Sequence, residues 1–274
     1  MTRTILDNIA RPGRFVATVV KKTDLSRRYF LLVLERPAGF ASPAPGTFIH
    51  LLPPGPGRFF MRRPFSVLDC DDSTVSLLIV EKGSGTSYLR SLPERAKVDF
   101  IGPLGNAFPS LPGRRILAIG GGVGLAPLYL YGAALDASRR GEYRLLYGAR
   151  TREDLFIDRF QWRFTDIGFA TDDGSHGFAG SVVDLAAREM ETSSYDAIFS
   201  CGPMPMIAAA DQLAKKKSVR HYVSLENRMG CGMGACRSCV VTVREGGADK
   251  YKTVCHDGPV FDANDLVWDK LPAV

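Results

Sequence analysis

Between residues 13 and about 108, short apolar, strand-like runs alternate with turns: RFVATVVKKT, YFLLVLERP, TFIHLLP, FSVLDC, TVSLLIVE and AKVDFIGPL. Six short strands with Pro/Gly punctuation predict a small antiparallel β-barrel. ASPAPG and LPPGPGR read as the loops between strands. After Leu111-Pro112-Gly113 the pattern changes. The runs RILAIG, EYRLLYGAR, IGFATDD and DAIFSCG alternate with the helical segments LAPLYLYGAALDASRR, VVDLAAREM and PMIAAADQLAKKK. That alternation predicts a parallel sheet with helices on both faces. From about Tyr222 a glycine- and cysteine-rich loop leads into the strand VVTVRE and back to Cys255. The expected organisation is a multidomain α/β plus β chain. A barrel spans 1–110, an α/β domain 111–221 and a small C-terminal module 222–274.

Composition narrows the class. The 274 residues allow a sizeable core, and 45% hydrophobic with 23% charged residues suits an ordinary soluble protein. The net charge of +6 is mild and its basic residues are spread, apart from a lysine run at 215–217 that reads as a solvated helix end. Nothing here calls for nucleic acid. MTRTILDNIARPG lacks the apolar stretch of a secretory signal. Residues 116–135 are nominally long enough to span a bilayer, but their glycine cluster and Pro127 argue for strand, turn and helix, so no membrane is expected. With cysteines spaced for metal, the expected setting is the reducing cytoplasm.

Four of the six cysteines form one pattern, Cys231-x4-Cys236-x2-Cys239-x15-Cys255. The first three follow the C-x4-C-x2-C spacing of plant-type [2Fe–2S] sites, with a fourth ligand from farther along. Gly230, Gly232, Gly234 and Ala235 let the backbone wrap closely and aim amides at sulfur. Structural zinc is the alternative, but zinc sites favour paired C-x2–4-C knuckles.

Gly120-Gly121-Gly122-Val123-Gly124-Leu125-Ala126-Pro127 follows a strand and opens a helix, where a pyrophosphate can sit at the helix N-terminus. It departs from G-x-G-x-x-G at the last position and could be a plain tight turn. RRPFS, residues 62–66, offers an arginine, an aromatic and a hydroxyl to a flavin, or is a strand with an incidental arginine pair. EKGSGT, residues 81–86, is a phosphate cradle or a turn before a helix cap. Cys201-Gly202-Pro203 ends a strand where α/β sheets place ligands; Cys201 either faces a nicotinamide or is a small buried residue. One chemical argument ties these together. Nicotinamide delivers two electrons as hydride, an iron–sulfur cluster passes one, and flavin does both, so a chain with the two ends should hold a flavin between them. The barrel is the segment left to hold it. Cys70, in a probable turn beside Asp69, Asp71 and Asp72, receives no role. His50, His176, His221 and His256 show no ligand spacing, and no Ser/His/Asp constellation follows from spacing alone.

RRPFS, EKGSGT, GPLGNAF, GGGVGLAPL, YGARTREDLF, TDDGSHGFAGSVVDL, CGPMPMI, VSLENRMGCGMGACRSCVV and YKTVCHDGPVFD, in this order, resemble the ferredoxin–NADP reductase superfamily. Over nearly the whole chain they resemble more closely the electron transfer subunits of dihydroorotate dehydrogenase B, which carry FAD and [2Fe–2S]. The resemblance implies that Arg63, Pro64, Phe65 and Ser66 contact the flavin ring and phosphate. Gly83, Gly85 and Thr86 would hold the FAD pyrophosphate. Gly122 and Gly124 would approach NAD, with Cys201 and Gly202 near its reactive end, and Cys231, Cys236, Cys239 and Cys255 would ligate the cluster. Phe65 departs from the tyrosine of many superfamily members, which removes a hydroxyl contact to the flavin ribose. The implied function is an NAD oxidoreductase subunit of pyrimidine biosynthesis. Dihydroorotate is oxidised on a separate catalytic subunit, in a heterotetramer, and electrons cross the cluster to FAD and then to NAD+. No residues remain in this chain for a dihydroorotate site. Alternatives are an NAD(P)H–ferredoxin oxidoreductase or sulfhydrogenase subunit and, in another class, a non-catalytic redox sensor. Arg150 and Arg152 stand where a 2′-phosphate could be read, or are simply solvated.

Overall fold

The computed structural model describes residues 11–55, 59–138, 142–156, 160, 162–163 and 166–271. Most of MTRTILDNIARPG, the end of LPPGPGR and the two arginines closing LAPLYLYGAALDASRR lie outside the described residues.

Six strands, β1 (Gly13–Asp24), β2 (Tyr29–Glu35), β3 (Phe48–Leu52), β4 (Arg63–Cys70), β5 (Thr74–Val80) and β6 (Lys97–Leu104), close into an antiparallel barrel ordered β1-β2-β5-β4-β3-β6. Alternate residues point inward, as the period of two requires: Phe30, Leu32 and Leu34 of β2 meet Ile49 and Leu51 of β3 in one core. Closure removes the free edges that an open sheet would expose. Cys70, expected in a turn, is instead the last residue of β4, paired with Val75. The turn is built by Asp71, whose carboxylate accepts from the Ser73 and Thr74 amides at 2.8 and 2.7 Å. Between β5 and β6 lies a short helix, α1 (Ser84–Ser91).

The α/β half is a seven-stranded sheet. β7 (Arg115–Gly121), β8 (Glu142–Ala149), β9 (Ile167–Thr171), β10 (Phe178–Ala179), β11 (Ala197–Cys201) and β12 (Arg220–Ser224) run parallel in the order β10-β9-β8-β7-β11-β12. The helices are α2 (Leu125–Ser138), α3 (Val182–Thr192) and α4 (Met204–Lys217). Ile116 and Ala118 of β7 face α2, while Leu117 and Ile119 face α3 and α4. Both faces are covered, so RILAIG is apolar throughout rather than alternating. Leu25, Leu68 and Leu78 on the barrel share the α2 core, which docks barrel against sheet.

The C-terminal segment forms a hairpin, β13 (Val240–Glu245) and β14 (Ala248–Thr253), then returns as β15 (Val260–Asp262), antiparallel to β12 at the sheet edge. The 221/222 line therefore falls inside β12. Strand order reverses between β7 and β11, and open α/β sheets bind ligands at the C-terminal ends of such a pair.

The fold also assembles a Ser/His/Asp grouping that spacing does not reveal. Ser200 Oγ lies 2.7 Å from His221 Nε2, His221 Nδ1 lies 3.5 Å from Asp211 Oδ1, and Lys215 Nζ pairs with Asp211 Oδ2 at 2.6 Å. Ser200, His221 and Asp211 are all buried, so the grouping ties α4 to β11 and β12 and offers no open nucleophile. Burial alone would raise the Asp211 carboxyl, but the hydrogen bonds from His221 and Lys215 outweigh it and hold it below 3.8. A depressed carboxyl stabilises the fold fully above its unfolded value, and that contribution fades as pH falls through the folded one. Asp211→Ala should therefore cost about 1–3 kcal/mol near neutrality. The gap to wild type should narrow below pH 3.8. Thermal unfolding across pH tests this, and a pH-independent gap would remove Asp211 from the linkage.

Candidate functional site

At the reversal point a cavity of about 480 Å3 opens where barrel, sheet and C-terminal segment meet. From β4 come Arg63, Pro64, Phe65 and Ser66, and from the start of α1 come Gly83, Gly85 and Thr86. The α/β half contributes Val123, Ala126 and Cys201, and the stretch after β12 contributes Glu226, Asn227 and Arg228. The two barrel segments singled out by sequence thus share one wall.

The arginine pair divides by role. Arg62 pairs with Asp99 and donates to the His50 and Asp99 carbonyls at 3.2 and 3.1 Å, so it is tied into the barrel. Arg63 donates to the Met61 carbonyl and lies 5.1 Å from the Phe59 ring centre, with no ion pair among the described residues. Its guanidinium lies over Gly85, where a Cβ would stand 2.6 Å from Nε. Only glycine leaves that approach open. Helix α1 has no acidic residue in its first turn, and its leading amides lack intrahelical partners. The Thr86 hydroxyl accepts from the Lys82 and Gly83 amides at 3.0 and 3.2 Å and so fixes the entry to the helix. An open arginine, a lysine and a helix N-terminus around a glycine-lined recess fit a phosphate group.

The glycine turn after β7 is organised differently. Gly122 has φ +56°. A Cβ on Gly124 would sit 2.1 Å from the Cys201 carbonyl oxygen and 2.6 Å from the Gly202 nitrogen. The two loops at the reversal point therefore touch backbone to backbone, and Gly124 is required by that packing. Gly122, Gly124 and Gly202 do not line the cavity, whereas Cys201 does. Burial, and after it the Glu226 charge, push the Cys201 thiol far up, so it is a neutral group there and no thiolate nucleophile.

Three charged cavity residues, Lys82, Glu226 and Arg228, receive no individual role from the sequence, although Lys82 sits in EKGSGT and the other two in VSLENRMG. Lys82 precedes α1, and Glu226 reaches water inside the cavity although protein surrounds it on nearly every side. That enclosure raises its carboxyl, opposed by the Lys82 charge. The sequence signal for Glu226 is its place in VSLENRMG, after a strand that is itself hidden in RHYVS. Arg150 and Arg152 follow β8 and do not line the cavity.

The four cysteines lie next along the chain. None is disulfide-bonded; Cys239 and Cys255 are buried, Cys231 is half-buried and Cys236 exposed. Backbone amides aim at the sulfurs: Met233 and Cys236 at Cys231 Sγ, both 3.4 Å, Gly234 at Cys255 Sγ, 3.1 Å, and Cys255 at Cys239 Sγ, 3.4 Å. Gly232 and Gly234 adopt φ +76° and +85°, which turn the loop around the sulfurs. Hydrogen bonds with Ser238 and Cys231 draw the Cys236 thiol down to about 6, whereas burial pushes Cys255 up to about 12. Among the described residues, no three His, Cys, Asp or Glu side chains converge on a single metal-ion position. The all-sulfur donor set with amides aimed at it fits an iron–sulfur cluster.

A closed flavin-reductase barrel, an α/β half and a cavity at their junction define the ferredoxin–NADP reductase fold. A reductase from Neisseria gonorrhoeae solved with bound FAD and NADP shares it, at TM-score 0.64 and 15% identity over 78% of this chain and 94% of that one. The chain belongs to the family of dihydroorotate dehydrogenase B electron transfer subunits. It is 34% identical to the NAD+-type subunit of Shouchella clausii over 91% of this chain and 96% of that one. With that of Geobacillus thermodenitrificans it shares 37% over 93% and 99%. Residues 226–267 match the model of the iron–sulfur cluster binding domain of dihydroorotate dehydrogenase B. The NADH-dependent reduced ferredoxin–NADP oxidoreductase superposes with TM-score 0.80 at 29% identity, over 94% of this chain and 92% of that one.

The contact of Gly124 with the Cys201 carbonyl leaves no room for a methyl group. Gly124→Ala should destabilise the chain by about 1–3 kcal/mol or more through overpacking. Chemical denaturation measures the loss, and an unchanged midpoint would show that the two loops separate freely.

Proposed function

We propose that this chain is the electron transfer subunit that links a dihydroorotate-oxidising partner to NAD+, with FAD in the cavity and [2Fe–2S] on Cys231, Cys236, Cys239 and Cys255. One observation carries the reading. The strip from Ser224 to Met229 walls the cavity, and Cys231 follows two residues later, so the two cofactor sites share a wall. Flavin supplies exchange between hydride and single electrons, and the cluster supplies one-electron relay.

The chain's own residues supply placement. Arg63 and the α1 terminus with Gly83, Gly85 and Thr86 hold the FAD pyrophosphate, while Pro64, Phe65 and Ser66 border the ring. The turn with Gly122 and Gly124 receives NAD, and Cys201 with Gly202 lies at the nicotinamide end. There a neutral, buried thiol limits water without competing as a nucleophile. The chain divides at 110/111 and, since 221/222 falls inside β12, at the end of that strand into FAD, NAD and cluster units, acts in the cytoplasm and assembles with its catalytic partner as a heterotetramer. Among the described residues no helix is long and apolar enough to cross a membrane. Phe60, Met61 and Met233 expose 86%, 52% and 50% of their surface, and a Cβ on Gly230 would lie 3.8 Å from Met61. This apolar surface beside the exposed end of the cysteine loop supports placing the 230–235 loop at the partner interface. A second reading, an NAD(P)H–ferredoxin oxidoreductase subunit, is favoured by the 0.80 TM-score with the ferredoxin–NADP enzyme. No comparable feature favours a sulfhydrogenase subunit, and the built cavity argues against a sensor without catalysis.

Arg63→Ala removes a charge-assisted phosphate contact worth roughly 1.5–3 kcal/mol, so FAD affinity should fall about ten- to a hundredfold. Flavin should be lost on dialysis while iron and sulfide stay bound. Full flavin retention would return Arg63 to a structural role.

The isolated, anaerobically purified chain should oxidise NADH with artificial acceptors and leave dihydroorotate untouched. Adding the catalytic partner should create dihydroorotate:NAD+ activity, and Cys236→Ser should abolish it while sparing the artificial-acceptor reaction. Dihydroorotate oxidation by the chain alone would overturn the subunit assignment, and ferredoxin-dependent activity without any response to the partner would favour the second reading.

A further inference from the structure

Strand β3 alternates sides: Ile49 and Leu51 enter the barrel core, while Phe48 joins the core of the cysteine module and His50 points the same way. A histidine on the outer wall of a barrel belongs in water, yet His50 is 0% exposed. What covers it is the cysteine loop. A Cβ on Gly232 would stand 2.4 Å from His50 Nδ1 and 3.1 Å from Cε1, so only a glycine lets the loop close over the ring. Neither ring nitrogen has a hydrogen bond of normal geometry within the protein, although the Cys231 and Arg62 backbones lie beside the ring. A buried donor left unsatisfied is costly, and an aliphatic residue would fill the space without that penalty. The missing acceptor is therefore expected from the group that the neighbouring cysteines hold.

We infer that His50 is a positioning residue for the cluster, donating its ring N–H to a cluster or Cys231 sulfur. The inference rests on the reading of the four cysteines as [2Fe–2S] ligands. A donor to sulfur offsets the negative charge added on reduction, so it raises the cluster's reduction potential and fixes the loop against the barrel. His256, whose Cβ packs against Gly234, is the one other histidine placed against this loop.

The holoprotein labelled with 15N-histidine tests it. Pulsed EPR of the reduced cluster should show a histidine nitrogen coupling that survives His256→Ala and disappears in His50→Phe. His50→Phe should also lower the midpoint potential at unchanged iron and sulfide content, and His50→Gln, which keeps an N–H donor, should restore part of the shift. Should His50→Phe fail to assemble, the labelled wild-type spectrum and His50→Gln still decide. A full cluster with no histidine coupling, or with the wild-type potential in His50→Phe, overturns the role of His50 and points to a buried water as the partner. A preparation without iron and acid-labile sulfide overturns the cluster reading itself.

Discussion

The placement of the cysteine module against the cavity depends on one side chain, Asn106, at the end of the barrel. Its Nδ2 donates to the carbonyls of Asp257 and Val260 at 3.0 and 2.8 Å, and its Oδ1 accepts from the Val260 amide at 2.8 Å. Its own amide donates to the Gly258 carbonyl at 2.6 Å. The stretch from Cys255 to β15 has no strand partner until Val260, so its backbone groups need another source of hydrogen bonds. Asn106 supplies both donor and acceptor, which neither aspartate nor leucine can do. Cys255, the cysteine of the pattern farthest along the chain, is thereby held in register with the barrel.

From that clamp the shared wall follows. With Val260 fixed, β15 pairs with β12, and the Leu225 amide donates to the Pro259 carbonyl at 2.9 Å. The residues between Leu225 and Cys231 are then pinned at both ends, by the sheet and by the cysteine loop. Glu226 and Arg228 face the cavity because of this, not because of a local motif. The backbone contact of Gly124 with Cys201 closes the opposite side, so the cavity is bounded by features of all three segments.

What was legible in the sequence divides along physical lines. Burial alternates along β2 because closure buries one face of the strand, whereas β3 is buried on both faces because the cysteine loop covers its outer side. Buried strands such as β7 and β11 show continuous apolar runs because helices cover both faces. The cysteine spacing was legible because ligand geometry constrains sequence distance directly, and the match of the family's cluster-binding domain to residues 226–267 supports it. β12 stays hidden because RHYVS carries Arg220, whose partner is Asp262, 42 residues later, and His221, whose polar ring is satisfied by Ser200 and Asp211. β15 is three residues long and exists only by pairing with β12. The two arginines of RRPFS look alike in sequence, and only the position of Asp99 across the barrel separates them.

The same reasoning explains why the cavity and the cysteine loop should not vary independently in this chain. Phe48 lines the cavity and His50 lies under the cysteine loop, two residues apart on the same face of β3. At about 3.3 Å per residue a strand separates such positions by roughly 7 Å, and a barrel wall does not stretch. A change that shifts β3 outward would move both sites together, whereas a change in the exposed rim near Cys236 would reach only one. The tight backbone contacts are concentrated where the cysteine loop meets β3, and exposure at the Cys236 end of that loop.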